Sequence, residues 1–153
     1  MDVLEGFKAC YITNHLADAE VKKMAELAKV ETFNGGHVLV RQFDKNSDLM
    51  IVLEGKVRIF GFQNEEIAEG GPGAVLGEIS LLDDKPRSAT VTCSGTTKVA
   101  ILKSEDFWKL LKADALLARI VLFNIGQVLC MRLRSANMQL DTVVREQHTR
   151  GWH

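Results

Sequence analysis

The sequence predicts a mainly β domain flanked by helices, and three observations carry that reading. Apolar residues recur in short runs at 38–40, 49–53, 57–60, 89–93 and 98–102, with a period nearer two than 3.6. The runs are separated at close intervals by turn chemistry: Gly35-Gly36, 44–48, Glu54-Gly55-Lys56, 63–66, Gly70-Gly71-Pro72-Gly73 and 94–97. On both sides of this region the apolar spacing is helical. Closely spaced short strands of this kind favour a sandwich or a barrel.

Taken in order, residues 1–12 carry Val3, Leu4, Phe7, Tyr11 and Ile12 at mixed spacing, which suits a short helix or hook packed on the body. From 17 to 30, Val21, Met24, Leu27 and Ala28 repeat at helical spacing with charges between them, so an amphipathic helix is expected, capped by Asp18 and supported by the pair Asp18 and Lys22. Strands follow from Phe33. A second helix is expected from Ser104-Glu105-Asp106, a cap candidate with an acidic first turn, before Phe107, Leu110 and Leu111. After the break at Ala113-Asp114, residues 115–147 hold no proline and one glycine, Gly126, enough for one helix of about 45–50 Å. Within it Leu122, Gly126, Leu129, Leu133, Ala136, Leu140 and Val143 fall at alternating four-three spacing, a seam for a twin helix. Leu117, Ile120, Val121 and Phe123 lie on other faces and are expected to pack on the strands.

Composition bounds the function. A chain of 153 residues gives one domain with a sizeable core, 1–153, and no room for a second large one. A net charge of −1 offers no general attraction to nucleic acid or membrane. Three cysteines without a Cys-x-x-Cys pair argue against a disulfide framework or zinc site and suit a reducing cytoplasm. His15, His37, His148 and His153 show no metal-ligand spacing, so no metal is expected. No Gly-x-Ser-x-Gly setting marks a nucleophile, and the chain is expected not to be an enzyme. No signal-like start and no run of eighteen apolar residues appears, so neither export nor a membrane span is expected.

The stretch 77–91 concentrates what chemistry there is. Gly77 lets backbone approach a ligand, and the next residues can form one helical turn whose free N–H groups face negative charge. Pro86 cannot continue that turn, so the chain reverses through Asp83-Asp84-Lys85 and returns Arg87, a fixed fork of donors, beside it. The grouping reads as a cradle for a small anion.

With Gly77-Glu78-Ile79-Ser80-Leu81-Leu82 and Pro86-Arg87-Ser88-Ala89-Thr90-Val91, the stretch resembles the phosphate-binding cassette of cyclic nucleotide-binding domains, and the likeness extends over about 16–135. The resemblance implies a β jelly roll (double-stranded β-helix) over about 31–103, with an N-terminal helix and C-terminal helices over about 104–148. It implies that Glu78 accepts the ribose 2′-hydroxyl, that Arg87 pairs with the cyclic phosphate, and that backbone N–H groups near Gly77, Ile79 and Ser80 complete the shell. Ser88 adds a hydroxyl and Ala89 completes the motif; Leu76 and Val57 wall the sugar and base, and base contacts come from the long helix near Met131 and Arg132. Serine after the arginine suits cyclic AMP better than cyclic GMP. The function implied is a sensor that reports occupancy through its C-terminal helices to a partner protein or through homodimerisation. With only Gly151-Trp152-His153 beyond the long helix, no DNA-binding domain is expected. The alternative is a module that keeps the fold without the ligand.

Overall fold

The β3 run Leu49–Glu54 shows how the sequence builds two cores at once. Successive side chains of a strand point to opposite faces. Leu49, Ile51 and Leu53 therefore enter a cluster with Phe7, Met24 and Phe107 of the helices, while Met50 and Val52 enter one inside the roll with Val40, Val57, Leu76, Val91 and Val99. Each such side chain, fully buried, contributes about 1.5–3 kcal/mol. A strand apolar on both faces is thus what joins the helical layer to the roll.

The computed structural model describes residues 1–150. Gly151, Trp152 and His153 lie outside the described residues, as does the expectation placed on them. The chain begins with α1 (Val3–Ala9), a single 3-10 turn (Tyr11–Thr13) and α2 (Asp18–Leu27). Eight strands follow: β1 (Lys29–Phe33), β2 (Val38–Val40), β3, β4 (Val57–Phe60), β5 (Glu66–Gly70), β6 (Val75–Leu76), then β7 (Thr90–Cys93) and β8 (Thr97–Leu102), with α3 (Glu78–Asp83) between β6 and β7. They form two four-stranded sheets of order β1-β8-β3-β6 and β2-β7-β4-β5, every pairing antiparallel. This is the jelly roll with flanking helices. Gly55 turns the β3–β4 hairpin at φ +87°, where a side chain would meet Thr96 O at 2.5 Å.

Several boundaries differ from the sequence reading. Lys29 and Val30 belong to β1, not to the preceding helix, because they pair with Ile101 and Ala100 of β8. Asp18 is the first residue of α2 and Ala17 its N-cap; Asp18 pairs with Lys8 at 3.4 Å rather than with Lys22. The helix α4 (Ser104–Ala113) has no side-chain cap of its own. Its first N–H, on Ser104, donates instead to Asp48 Oδ1 at 3.2 Å.

The last helix, α5 (Ala115–Arg150), has 36 residues, about 54 Å at the usual rise. Leu117, Val121 and Ile125 are fully buried in the helical core. Phe123 does not pack on the strands: it is 61% exposed, because two residues along a helix from Val121 lies near the opposite side. Every residue from 130 to 150 is exposed. Among the described helices, α5 is the one long and apolar enough to cross a membrane, with mean hydropathy 1.6 over an 18-residue window.

Candidate functional site

The α3 turn owes its start to Gly77. Its backbone is left-handed, φ +90°, and a Cβ there would meet the Arg87 guanidinium and, at 2.7 Å, Asp48 O. Only glycine permits both the conformation and the approach. Asp84 ends the turn, also left-handed at φ 54°, and its N–H donates to Ser80 O at 3.0 Å.

Arg87 follows on the returning chain and is 4% exposed. Nη1 donates to Gly77 O at 3.2 Å; Nη2 donates to Asp48 O at 2.7 Å and to Asn46 Oδ1 at 3.1 Å. Burial lowers its pKa from the ordinary arginine value, against the opposing charges of Asp48, Glu78 and Asp44. Its backbone is tied both ways to the β2–β3 loop: Arg87 N–H donates to Asp44 O at 2.8 Å, and Phe43 N–H to Arg87 O at 2.9 Å. Phe43 holds this contact with φ 74°, a conformation that costs a bulky residue about 1–3 kcal/mol.

Glu78 is 3% exposed and its Oε1 accepts from Arg132 Nη1 of α5. The cassette is thus bonded to the long helix at the acid expected to hold a ribose. Leu76 and Val57 meet in the roll cluster. Ser80 is buried, Ala89 half-buried, and Ile79 and Ser88 are exposed. Met131, 64% exposed, lines a solvent-open groove on a face of α5 with Phe123, Gly126, Cys130, Arg134 and Met138. The structure therefore gathers Gly77, Glu78, Arg87 and Arg132, and places Met131 elsewhere.

A matching family model settles what this assembly is. The model for the cyclic nucleotide-binding domain matches residues 30–114. The chain belongs to the cyclic nucleotide-binding domain family. It is 33% identical over 136 residues to the cyclic AMP receptor protein of Thermus thermophilus, covering 86% of this chain and 61% of that one. It is 34% identical over 106 residues to a cAMP-dependent protein kinase regulatory subunit of Dictyostelium discoideum, 65% of this chain and 32% of the subunit. The crystal structure of the Thermus thermophilus catabolite activator protein superposes with a TM-score of 0.79 at 31% identity, over 87% of this chain and 62% of that one. The chain thus spans less than two thirds of these relatives.

Sequence reading missed three residues that hold this region together. Asp48 and Asn46 hold Arg87, and Asp48 also caps α4, so one residue touches both the cassette arginine and the first C-terminal helix. Asn124, 4% exposed, donates from Nδ2 to Ile12 O and Asn14 O, each at 2.8 Å, and clamps the 3-10 turn to α5. An asparagine amid Leu117, Val121 and Ile125 was the available signal, since a buried amide needs partners. Among the described residues no group of three or more His, Cys, Asp or Glu gathers as a metal site.

Proposed function

We propose that this chain is a cyclic nucleotide sensor that takes cyclic AMP in preference to cyclic GMP, and that its output is movement of α4 and α5. The observation that carries the reading is the convergence of Arg87, Gly77 and Glu78 at one turn, with Glu78 bonded to Arg132. A cyclic phosphate entering beside Gly77 would compete for the Arg87 guanidinium now held by Asp48 O and Asn46. Asp48 would pass that exchange to the N-terminus of α4. A ribose hydroxyl on Glu78 would compete with Arg132, and a ligand shifts a switch only through such differential contacts. The names of the relatives support cyclic AMP, as does Ser88 in place of threonine. The names of a receptor protein and a kinase regulatory subunit among the relatives support a role in binding and regulation, and the domain is read as cytoplasmic. The exposed outer half of α5 supports a second copy of this chain as its partner.

Calorimetric titration with cyclic AMP and cyclic GMP tests the reading. Wild type binds cyclic AMP more tightly, and Arg87→Ala weakens it at least about tenfold, the loss of hydrogen bonds to a charged group. Wild-type affinity in a folded Arg87→Ala, or cyclic GMP preferred more than tenfold, overturns the assignment concerned.

A further inference from the structure

The hydroxyl of Tyr11, in the 3-10 turn, is buried and has no hydrogen-bond partner. Such a group costs about 1–3 kcal/mol and calls for a reason. The ring packs against the cluster that takes in Leu81 and Leu82 of α3 and Leu129 of α5, the two elements that carry Glu78 and Arg132, and its electrostatic surroundings agree. Burial first, and then the negative charge of Glu78, raise the phenol well above its ordinary pKa, with Arg132 opposing. The hydroxyl is thus a protonated donor standing close enough to Glu78 and Arg132 to feel both, and bonded to neither.

Glu78 has one partner, Arg132, on Oε1. If a ligand hydroxyl draws the carboxylate off that arginine, a buried charge is left needing donors. Tyr11 does not sit there by accident of the roll. Asn124 bonds Ile12 O and Asn14 O on either side of the turn, so Tyr11 is fixed to α5, the same helix that carries Arg132. The turn that carries Tyr11 is thus anchored to α5 at Asn124, eight residues before Arg132.

We propose that Tyr11 is a positioning residue for Glu78: its phenol donates to the carboxylate when that carboxylate accepts the 2′-hydroxyl of a bound nucleotide. The inference rests on the nucleotide-binding reading above. It assigns the N-terminal turn a role in ribose recognition, and it makes ribose contact felt by α5 through Tyr11 as well as through Arg132.

Two measurements on the full chain test it. In the first, wild type and Tyr11→Phe are titrated with cyclic AMP and with 2′-deoxy cyclic AMP. The variant should lose about fivefold to tenfold for cyclic AMP and less than about twofold for the deoxy analogue, which gives Glu78 no hydroxyl. Equal losses for both ligands, or no loss, overturn the proposal. Should wild type bind neither, the nucleotide reading itself fails, and that result is distinguishable because it does not involve the variant. In the second, Tyr11 is the chain's one tyrosine, so phenolate absorbance reports it alone. Glu78→Gln should lower the pH at which phenolate appears; an unchanged pH shows that Glu78 does not face the phenol, and sinks the proposal independently of any ligand.

Discussion

Glu78 and Arg132, 54 residues apart in sequence, form an ion pair in which the acid is buried and the arginine is half exposed, its side chain at 51%. The asymmetry matters. Water can re-solvate Arg132 when the pair breaks, whereas the buried Glu78 then needs another donor.

Arg132→Ala should therefore destabilise the fold by about 1–3 kcal/mol, below the cost of breaking a fully buried pair because Arg132 is half in water. In a Glu78→Gln background the same substitution should cost less than about 0.5 kcal/mol, since the neutral amide no longer needs the arginine. Urea unfolding of the four proteins measures the coupling; additive losses would show that the two side chains do not depend on each other.

Gly77→Ala should be among the costliest single methyl additions in the chain. Left-handed backbone costs a non-glycine residue about 1–2 kcal/mol, and here the added Cβ also meets Asp48 O, a backbone atom, at 2.7 Å, and the Arg87 guanidinium. Stability should fall by at least about 2 kcal/mol, and cyclic AMP affinity should fall with it because Arg87 is displaced. Gly126→Ala is the control: nothing lies within 4 Å of its added Cβ, so in a monomer it should stabilise α5 by about 1 kcal/mol. Thermal unfolding that finds Gly77→Ala as stable as wild type contradicts the reading of Gly77.

The contrast between those two glycines bears on what a sequence discloses. Gly77, Glu78 and Arg87 lie within one contiguous motif, and local chemistry there coincides with the tertiary site. The β3 and β8 runs were legible for the same reason, since each is a short apolar run bounded by turn residues. β5, Glu66–Gly70, is an almost fully exposed edge strand; with no apolar face to bury, it leaves no pattern to read. Lys29 and Val30 continue a helical spacing that tertiary pairing with β8 overrides. Asp48 and Asn46 act across 39 or more residues, on partners that local sequence does not name. The choice between Met131 and Arg132 turned on the rotation of α5, and neighbours on a helix differ by about 100°. Leu117, Val121, Ile125 and the Asn124 clamp set that rotation, turning Arg132 toward Glu78 and Met131 outward.

The outer half of α5 gives the remaining prediction. From 131 to 150 the helix has no buried residue, and Met131, Leu133, Met138, Leu140, Val143 and Val144 are each 48–72% exposed. That is about 30 Å of helix, and isolated helices of such length are marginal in water without packing of an apolar face. Among the described residues nothing covers it. A second copy offers an identical stripe, and Gly126, with open space at its Cβ position, would let two backbones approach closely beside the groove. The seam at Leu122, Gly126, Leu129, Leu133, Ala136, Leu140 and Val143 advances alternately by four and three residues, which keeps it facing a partner as a left-handed supercoil requires. Leu129 packs partly on the helical core, so it should contribute less to the pairing than the other leucines of the seam. Light scattering should then report a dimer with and without nucleotide, and Leu133→Asp, which buries a charge at the seam, should give a monomer with a frayed C-terminal helix and reduced helical circular dichroism. A wild-type monomer at high micromolar concentration would rule out self-pairing; a Leu133→Asp dimer would move the interface off this seam, to the face that carries Phe123, Met131 and Met138.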